Sequence, residues 1–269
     1  MQSYIRENLK REFFVIMDDR SFIPRHNALS RKWISVRPQN CTALHRYIKM
    51  GPINVGIRIR CSPAMIHFQL DAGHRWLFEH AGILHRDISL GNMIFRREGD
   101  KVYGVLNDVD LAVSVGVTSA SSKQRTGTKP FMAIDLLRPD PPVHIYRHDL
   151  ESMLYVLVWI TSRFNNGEEI TEPPLQEWAD LCGMALVGEK YRFIMSLPPR
   201  RTGQFESFGR WVVPMQTMFR DGFSSRTRHL SEVSVAGQQT SSHPHFEDET
   251  LGGLVTFDEF QAIIDTKLL

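Results

Sequence analysis

Apolar positions along the chain change their period several times, and each change marks an element. Ile66, Leu70, Gly73 and Leu77 recur at helical spacing, which predicts an amphipathic helix over about residues 65 to 80, broken at Gly82. Two apolar runs then flank "EGDK" and predict a β-hairpin, with strands at about Met93–Arg96 and Val102–Leu106. From His148, "HDLESMLYVLVWITSRF" carries a stripe of Leu150, Leu154, Leu157 and Thr161, while Met153, Tyr155, Val156 and Trp159 fill the other faces. A helix that is apolar all round in a soluble protein is buried at the centre of its domain. Asp149 or a neighbour is placed to cap it. A further helix is expected after "EPP" (Glu172–Pro174), with proline near its first turn. Others are expected near residues 186 to 195, near 205 to 219, and from about Phe257 to the end. Near the start, "FFVIM" (Phe13–Met17), "WISV" (Trp33–Val36) and "VGIRI" (Val55–Ile59) read as short strands. Residues 114–128 and 223–245 are rich in small and polar side chains and read as loops.

Composition narrows the class without naming a chemistry. The 269 residues suit one large domain or two small ones, with 42% apolar and 23% charged side chains. Lys plus Arg is 32 against 30 for Asp plus Glu, so charge gives no reason to expect nucleic acid or membrane as a partner. Cys41, Cys61 and Cys182 are far apart and odd in number, which suits a reducing compartment better than a disulfide framework or a metal site. The first residues lack a signal-peptide core, and the longest apolar run, Met153–Ile160, is too short to cross a bilayer. An intracellular location, cytoplasmic or nuclear, is expected.

The chemistry concentrates in "HRDISLGNM", His85–Met93. Phosphoryl transfer from a nucleotide needs a carboxylate to accept or orient the attacking hydroxyl's proton, and oxygen ligands to hold magnesium against the phosphates. Asp87 can meet the first need. Asn92, five positions on, can offer an amide oxygen from the start of the next strand. The hairpin then delivers Asp108 in "LNDVD" at the end of an apolar strand, where a carboxylate can chelate a hard cation. The ordered set of Asp87, Asn92 and Asp108, separated by a hairpin, is far more specific than the tripeptide alone.

In these residues the sequence resembles the eukaryotic protein kinases. "HRDISLGN" looks like their catalytic loop, "NDVD" stands where they carry Asp-Phe-Gly, and "RTGTKPFMAID" is similar to the segment ending in Ala-Pro-Glu. "GHRWLFEHAGILHRDIS", "RTGTKPFMA", "RHDLESMLYVLVW" and "FEDETLGGLVTFDEF" resemble more narrowly the fungal-type protein kinase family, over about residues 64 to 260. The resemblance implies an α+β, protein-kinase-like fold: a helical C-terminal lobe over 62–265 carrying the catalytic-loop hairpin, and an incomplete or divergent N-terminal lobe over 1–61. It implies transfer of the ATP γ-phosphate to Ser or Thr hydroxyls of a protein substrate, with ATP and Mg²⁺ bound. Asp87 is then the catalytic base. Asn92 and Asp108 are the magnesium and nucleotide ligands. Arg86 pairs with a phosphate or acid in the activation segment, where Ser119, Ser121, Ser122 and Thr126 are candidate acceptors. Thr128 sits beside the substrate hydroxyl. His85 supports the loop, and Asp149 holds its backbone from the buried helix.

The sequence also departs from that pattern. Ser89 stands where most such kinases carry lysine, Asp110 replaces a glycine, and Ile134–Asp135 replace Pro-Glu, so that a shorter carboxylate is expected to weaken or lose an ion pair to a distant arginine. Before His85 there is no G-x-G-x-x-G; Gly51 and Gly56 have the wrong spacing, and neither Lys32 nor Lys49 closes an apolar strand well. A catalytically impaired pseudokinase acting as an interaction module therefore competes with an active kinase. A small-molecule kinase fits less well, because the segment before the buried helix suits a peptide platform. "DETLGGLVTFDE", Asp248–Glu259, partly fits a calcium loop, but Thr250 and Gly252 replace two ligands, so a turn leading into the last helix is expected.

Overall fold

The structure is a computed structural model that describes residues 73–98, 101–115, 127–236 and 245–266. The three early strands, the start of the first helix, Lys32, Lys49, Gly51 and Gly56 lie outside the described residues, as do Ser119, Ser121, Ser122 and Thr126.

Helix α1 (73–81) stops at Gly82, whose φ of +62° suits glycine and whose N–H returns to the Phe78 carbonyl at 3.1 Å. Strand β1 (Ile83–Leu84) follows and pairs antiparallel with β4 (Val113–Ser114). Between them, β2 (Met93–Glu98) and β3 (Lys101–Leu106) form the hairpin, with Met93 opposite Leu106 and Glu98 opposite Lys101. Pairing runs longer than the apolar pattern because backbone hydrogen bonds continue through Arg97 and Glu98. The loop after β1 and the loop after β3 thus start and finish on paired strands, which sets their ends side by side.

Helix α2 (Tyr146–Arg163) is the centre of the molecule; every residue in it except Ile160 is buried. It begins before the predicted His148. Its cap is a neighbour of Asp149: the His148 Nδ1 accepts from the Ile145 N–H at 3.2 Å. Short antiparallel strands β5 (Phe164–Asn165) and β6 (Glu168–Glu169) follow. The helix expected after Pro174 is only α3 (Glu177–Asp180), since Pro173 and Pro174 lie in the preceding irregular stretch. Helix α4 (Gly183–Met195) packs on α3, on a 3-10 turn at Ile134–Leu137 and on α5.

Helix α5 (Gly209–Ala236) corrects the expected loop over 223–245, at least as far as Ala236. Its polar side chains do not break it. Thr227 and Ser231 donate to the carbonyls of Phe223 and Thr227, four residues back, at 2.9 Å each. Phe223 is buried and Arg226 is anchored by the Asp135 carboxylate, so tertiary contacts override a weak local pattern. Helix α6 (Phe257–Ile264) is capped by Thr256, whose Oγ1 accepts from the Glu259 N–H. Before it, residues 248–255 form turns, as expected for the alternative to a calcium loop. The Asp248 carbonyl and carboxylate accept from Arg147 and Arg226. Tyr146, Phe78 and Phe257 stack into one aromatic cluster that ties α1, α2 and α6 together. The architecture is α+β: a helical body bearing small antiparallel sheets. No helix among the described residues is long and apolar enough to cross a membrane.

Candidate active site

The loop after β1 opens with His85, which is fully buried. Its Nε2 lies 3.0 Å from the Asn107 carbonyl and its Nδ1 accepts from the Asp87 N–H at 3.3 Å. Those two contacts fix the donor on Nε2, and burial lowers the pKa of the ring, so it is a neutral brace rather than a proton carrier. Arg86 has φ +71° and Asp108 has φ +60°. Non-glycine residues held in that region cost about 1–3 kcal/mol each and concentrate at functional sites. Arg86 is buried, which lowers its pKa, with the Asp149 charge opposing. The activation-segment residues it was expected to meet lie outside the described residues.

Asp87 is partly exposed, and its carboxylate is held on three sides. Thr128 donates to Oδ1 from both its N–H (2.8 Å) and its Oγ1 (2.9 Å), and Asn92 Nδ2 donates to Oδ2 at 2.9 Å and to the Asp87 carbonyl at 2.8 Å. A carboxylate has about four acceptor positions, so one remains for an incoming proton donor. Gly127 makes the approach of Thr128 possible: its φ is +115°, and a Cβ there would come within 3.2 Å of the Arg86 carbonyl.

Asn92 closes a 3-10 turn (Leu90–Asn92) at the mouth of β2, and its carbonyl accepts from the Asn107 N–H at 2.8 Å. Asp108 follows Asn107, so it stands one position beyond the backbone partner of Asn92. The Asp108 side chain is exposed and accepts from the Asp110 N–H at 3.4 Å. With Nδ2 committed to Asp87, Asn92 has its amide oxygen to offer, and Asp108 has carboxylate oxygens. This hard-oxygen pair fits magnesium, which binds through one or two carboxylates and completes its shell with waters and phosphates. The described residues hold no cluster of three His, Cys, Asp or Glu suited to a metal. An ion that shares its coordination with a nucleotide does not need one.

Asp149 lies beneath, fully buried on α2. Its Oδ2 accepts from the His85 N–H (3.2 Å), the Arg86 N–H (3.3 Å) and His74 Nε2 (2.8 Å), and Oδ1 faces His144 Nε2 at 2.8 Å. Burial alone would raise its pKa, but His144 and His74 hold it well below the usual carboxylate range. Sequence reasoning identified Asp149 but missed both histidines, although His74 sits in "GHRW".

Asp135 corrects the expectation of a weakened ion pair. Arg226 grips it through two nitrogens, at 2.8 and 3.0 Å, and Arg147 adds a contact at 3.0 Å. Burial opposes the charge, but both arginines hold the carboxyl far below its ordinary pKa.

The segment after Thr128 is held from below by two residues the sequence did not flag. Lys190 Nζ donates to the Met132 carbonyl at 2.5 Å, and Glu151 Oε1 accepts from the Ile134 N–H at 2.7 Å and the Tyr155 hydroxyl at 2.6 Å. Lys190 is fully buried against the rings of Tyr155 and Trp178, and burial pushes its pKa far down. The available signal was a lysine on an apolar stripe, between Leu186 and Ile194.

Residues 66–161 match the fungal protein kinase family. The matched segment runs from the α1 region into α2. It contains His85, Arg86, Asp87, Asn92, Asp108, Thr128 and Asp149, and it spans less than half of the 269 residues. A search of curated proteins finds no match.

Proposed function

We propose that this chain is a kinase-fold protein that transfers the γ-phosphate of ATP to Ser or Thr hydroxyls of a protein substrate inside the cell. Its helical lobe would span 62–265, with 1–61 as an incomplete or divergent N-terminal lobe segment. The observation that carries the reading is Asp87, a partly exposed carboxylate braced by Thr128 and Asn92 with acceptor capacity to spare. Magnesium held by Asn92 and Asp108 would neutralise phosphate charge when bound. Asp87 accepts the hydrogen of the substrate hydroxyl and orients its oxygen. Thr128 positions that carboxylate from the platform side and Asn92 from the hairpin side. Asp149 fixes the backbone on which Asp87 stands.

The test is phosphate transfer from labelled ATP to a Ser/Thr peptide library. Asp87→Asn should lower kcat by about 10²–10⁴ while circular dichroism is unchanged; unchanged transfer would refute the role of Asp87. A second reading, a non-catalytic interaction module, is favoured by Ser89 in place of lysine and by the absence of G-x-G-x-x-G before His85. Nucleotide binding without turnover in the same assay would select it.

A further inference from the structure

A groove of about 570 Å³ lies between α5, the turns before α6, and α6 itself. Its apolar lining includes Val213, Met218, Leu254 and Ile263, and Val213 and Leu254 are 43% and 40% exposed. The charged residues of the lining are Asp221 and Glu259, both acidic. Neither side chain forms an ion pair within the described residues, whereas the neighbouring Asp258 is paired with Arg75 at 2.7 Å. The walls are built in advance. Trp211 Nε1 donates to the Thr266 carbonyl at 2.9 Å, which ties the start of α5 to the end of α6, and Thr256 caps the opposite end.

We propose that this groove docks a short segment of another protein that carries apolar side chains flanked by Lys or Arg. The apolar lining gains from burying such side chains, and the two carboxylates select basic flanks by attraction and reject acidic ones by repulsion. A symmetric dimer through this face would set the same acidic lining against itself. Anionic lipid and nucleic acid meet the wrong sign of charge. The groove lies outside the residues that match the family, and none of its lining residues has a part in the proposed phosphate transfer.

The probe is a fluorescein-labelled twelve-residue peptide with leucines at helical spacing and lysines between them, titrated with the full chain and followed by anisotropy. Saturable binding is expected, weakened about tenfold by Asp221→Lys combined with Glu259→Lys, and weakened also by Leu254→Ser and by added salt. Three results would overturn the proposal: no saturation at millimolar protein, equal affinity of the double-lysine variant, or equal binding of a peptide with glutamates replacing the lysines. If the double-lysine variant does not fold, as judged by its thermal melt, Asp221→Asn with Glu259→Gln carries the same comparison. Sedimentation velocity addresses a second copy: a concentration-dependent dimer abolished by Leu254→Ser would also overturn it.

Discussion

Asp149 is a fully buried carboxylate whose oxygens face two imidazoles and two backbone amides. Replacing it with alanine leaves both histidines and the loop amides without their acceptor. Each buried polar group left without its partner costs about 1–3 kcal/mol, a loss to be read by urea unfolding. Acid should act on the same network in two stages. Burial lowers the pKa of His85 and His148, so their contribution to stability is full above about pH 6.5 and is lost as pH falls below it. Asp135 and Asp149 are held below the pKa of the unfolded chain, so their contribution is full above about pH 4 and is lost below it. Glu151, raised by burial, works in the opposite direction. Melting temperature measured against pH should therefore decline gently below neutrality and steeply below about pH 4, and Asp149→Asn should flatten the steep stage. Asp87 and Asn92 were legible as neighbours five positions apart in one loop, but the bond from the Asn92 amide to the Asp87 carboxylate was not. The histidines were not, because His74 stands 75 positions from Asp149 and nothing local records which carboxylate it meets.

The later turns of helix α2 were readable from the sequence, since Met153–Ile160 is apolar on every face, whereas the burial of Arg147, His148 and Glu151 in its first turns was not. Leu154 is fully buried there, and Leu154→Ala should cost about 2–5 kcal/mol, measured by denaturant unfolding. Helix α5 was half legible. Its apolar start shows the helical period, whereas the Ser and His after Phe223, with Gly237 beyond them, read as loop because such residues stabilise a helix only weakly by themselves. The distant Asp135 holds that stretch through Arg226. Arg226→Ala should destabilise the fold by about 3–5 kcal/mol. Arg226→Lys should recover part of the loss, because an ammonium cannot reproduce the two-nitrogen grip. Equal stability of the alanine and wild-type proteins would remove that role from the ion pair.

At the scale of the molecule, paired β1–β4 and the β2–β3 hairpin aim two loops at one place, and α2 fixes the first of them from below. If that place holds magnesium and nucleotide, saturating Mg-ATP at about 100 times Kd should stabilise the fold by about 2.7 kcal/mol. Thermal shift is the readout. Asp108→Asn, which tolerates the left-handed backbone better than most residues, should abolish the shift while leaving the unliganded melt nearly unchanged. A full shift in that variant would release Asp108 from metal binding. The sequence alone determined what depends on neighbours in the chain: the apolar all-round turns of α2, the hairpin, and the order and spacing of Asp87, Asn92 and Asp108. Only the tertiary structure decided the contacts between residues far apart, such as His74 with Asp149, Arg226 with Asp135 and Lys190 with Met132. Those pairings depend on how helices pack in three dimensions, and a linear pattern of apolar and polar positions carries the faces of the helices but not their partners.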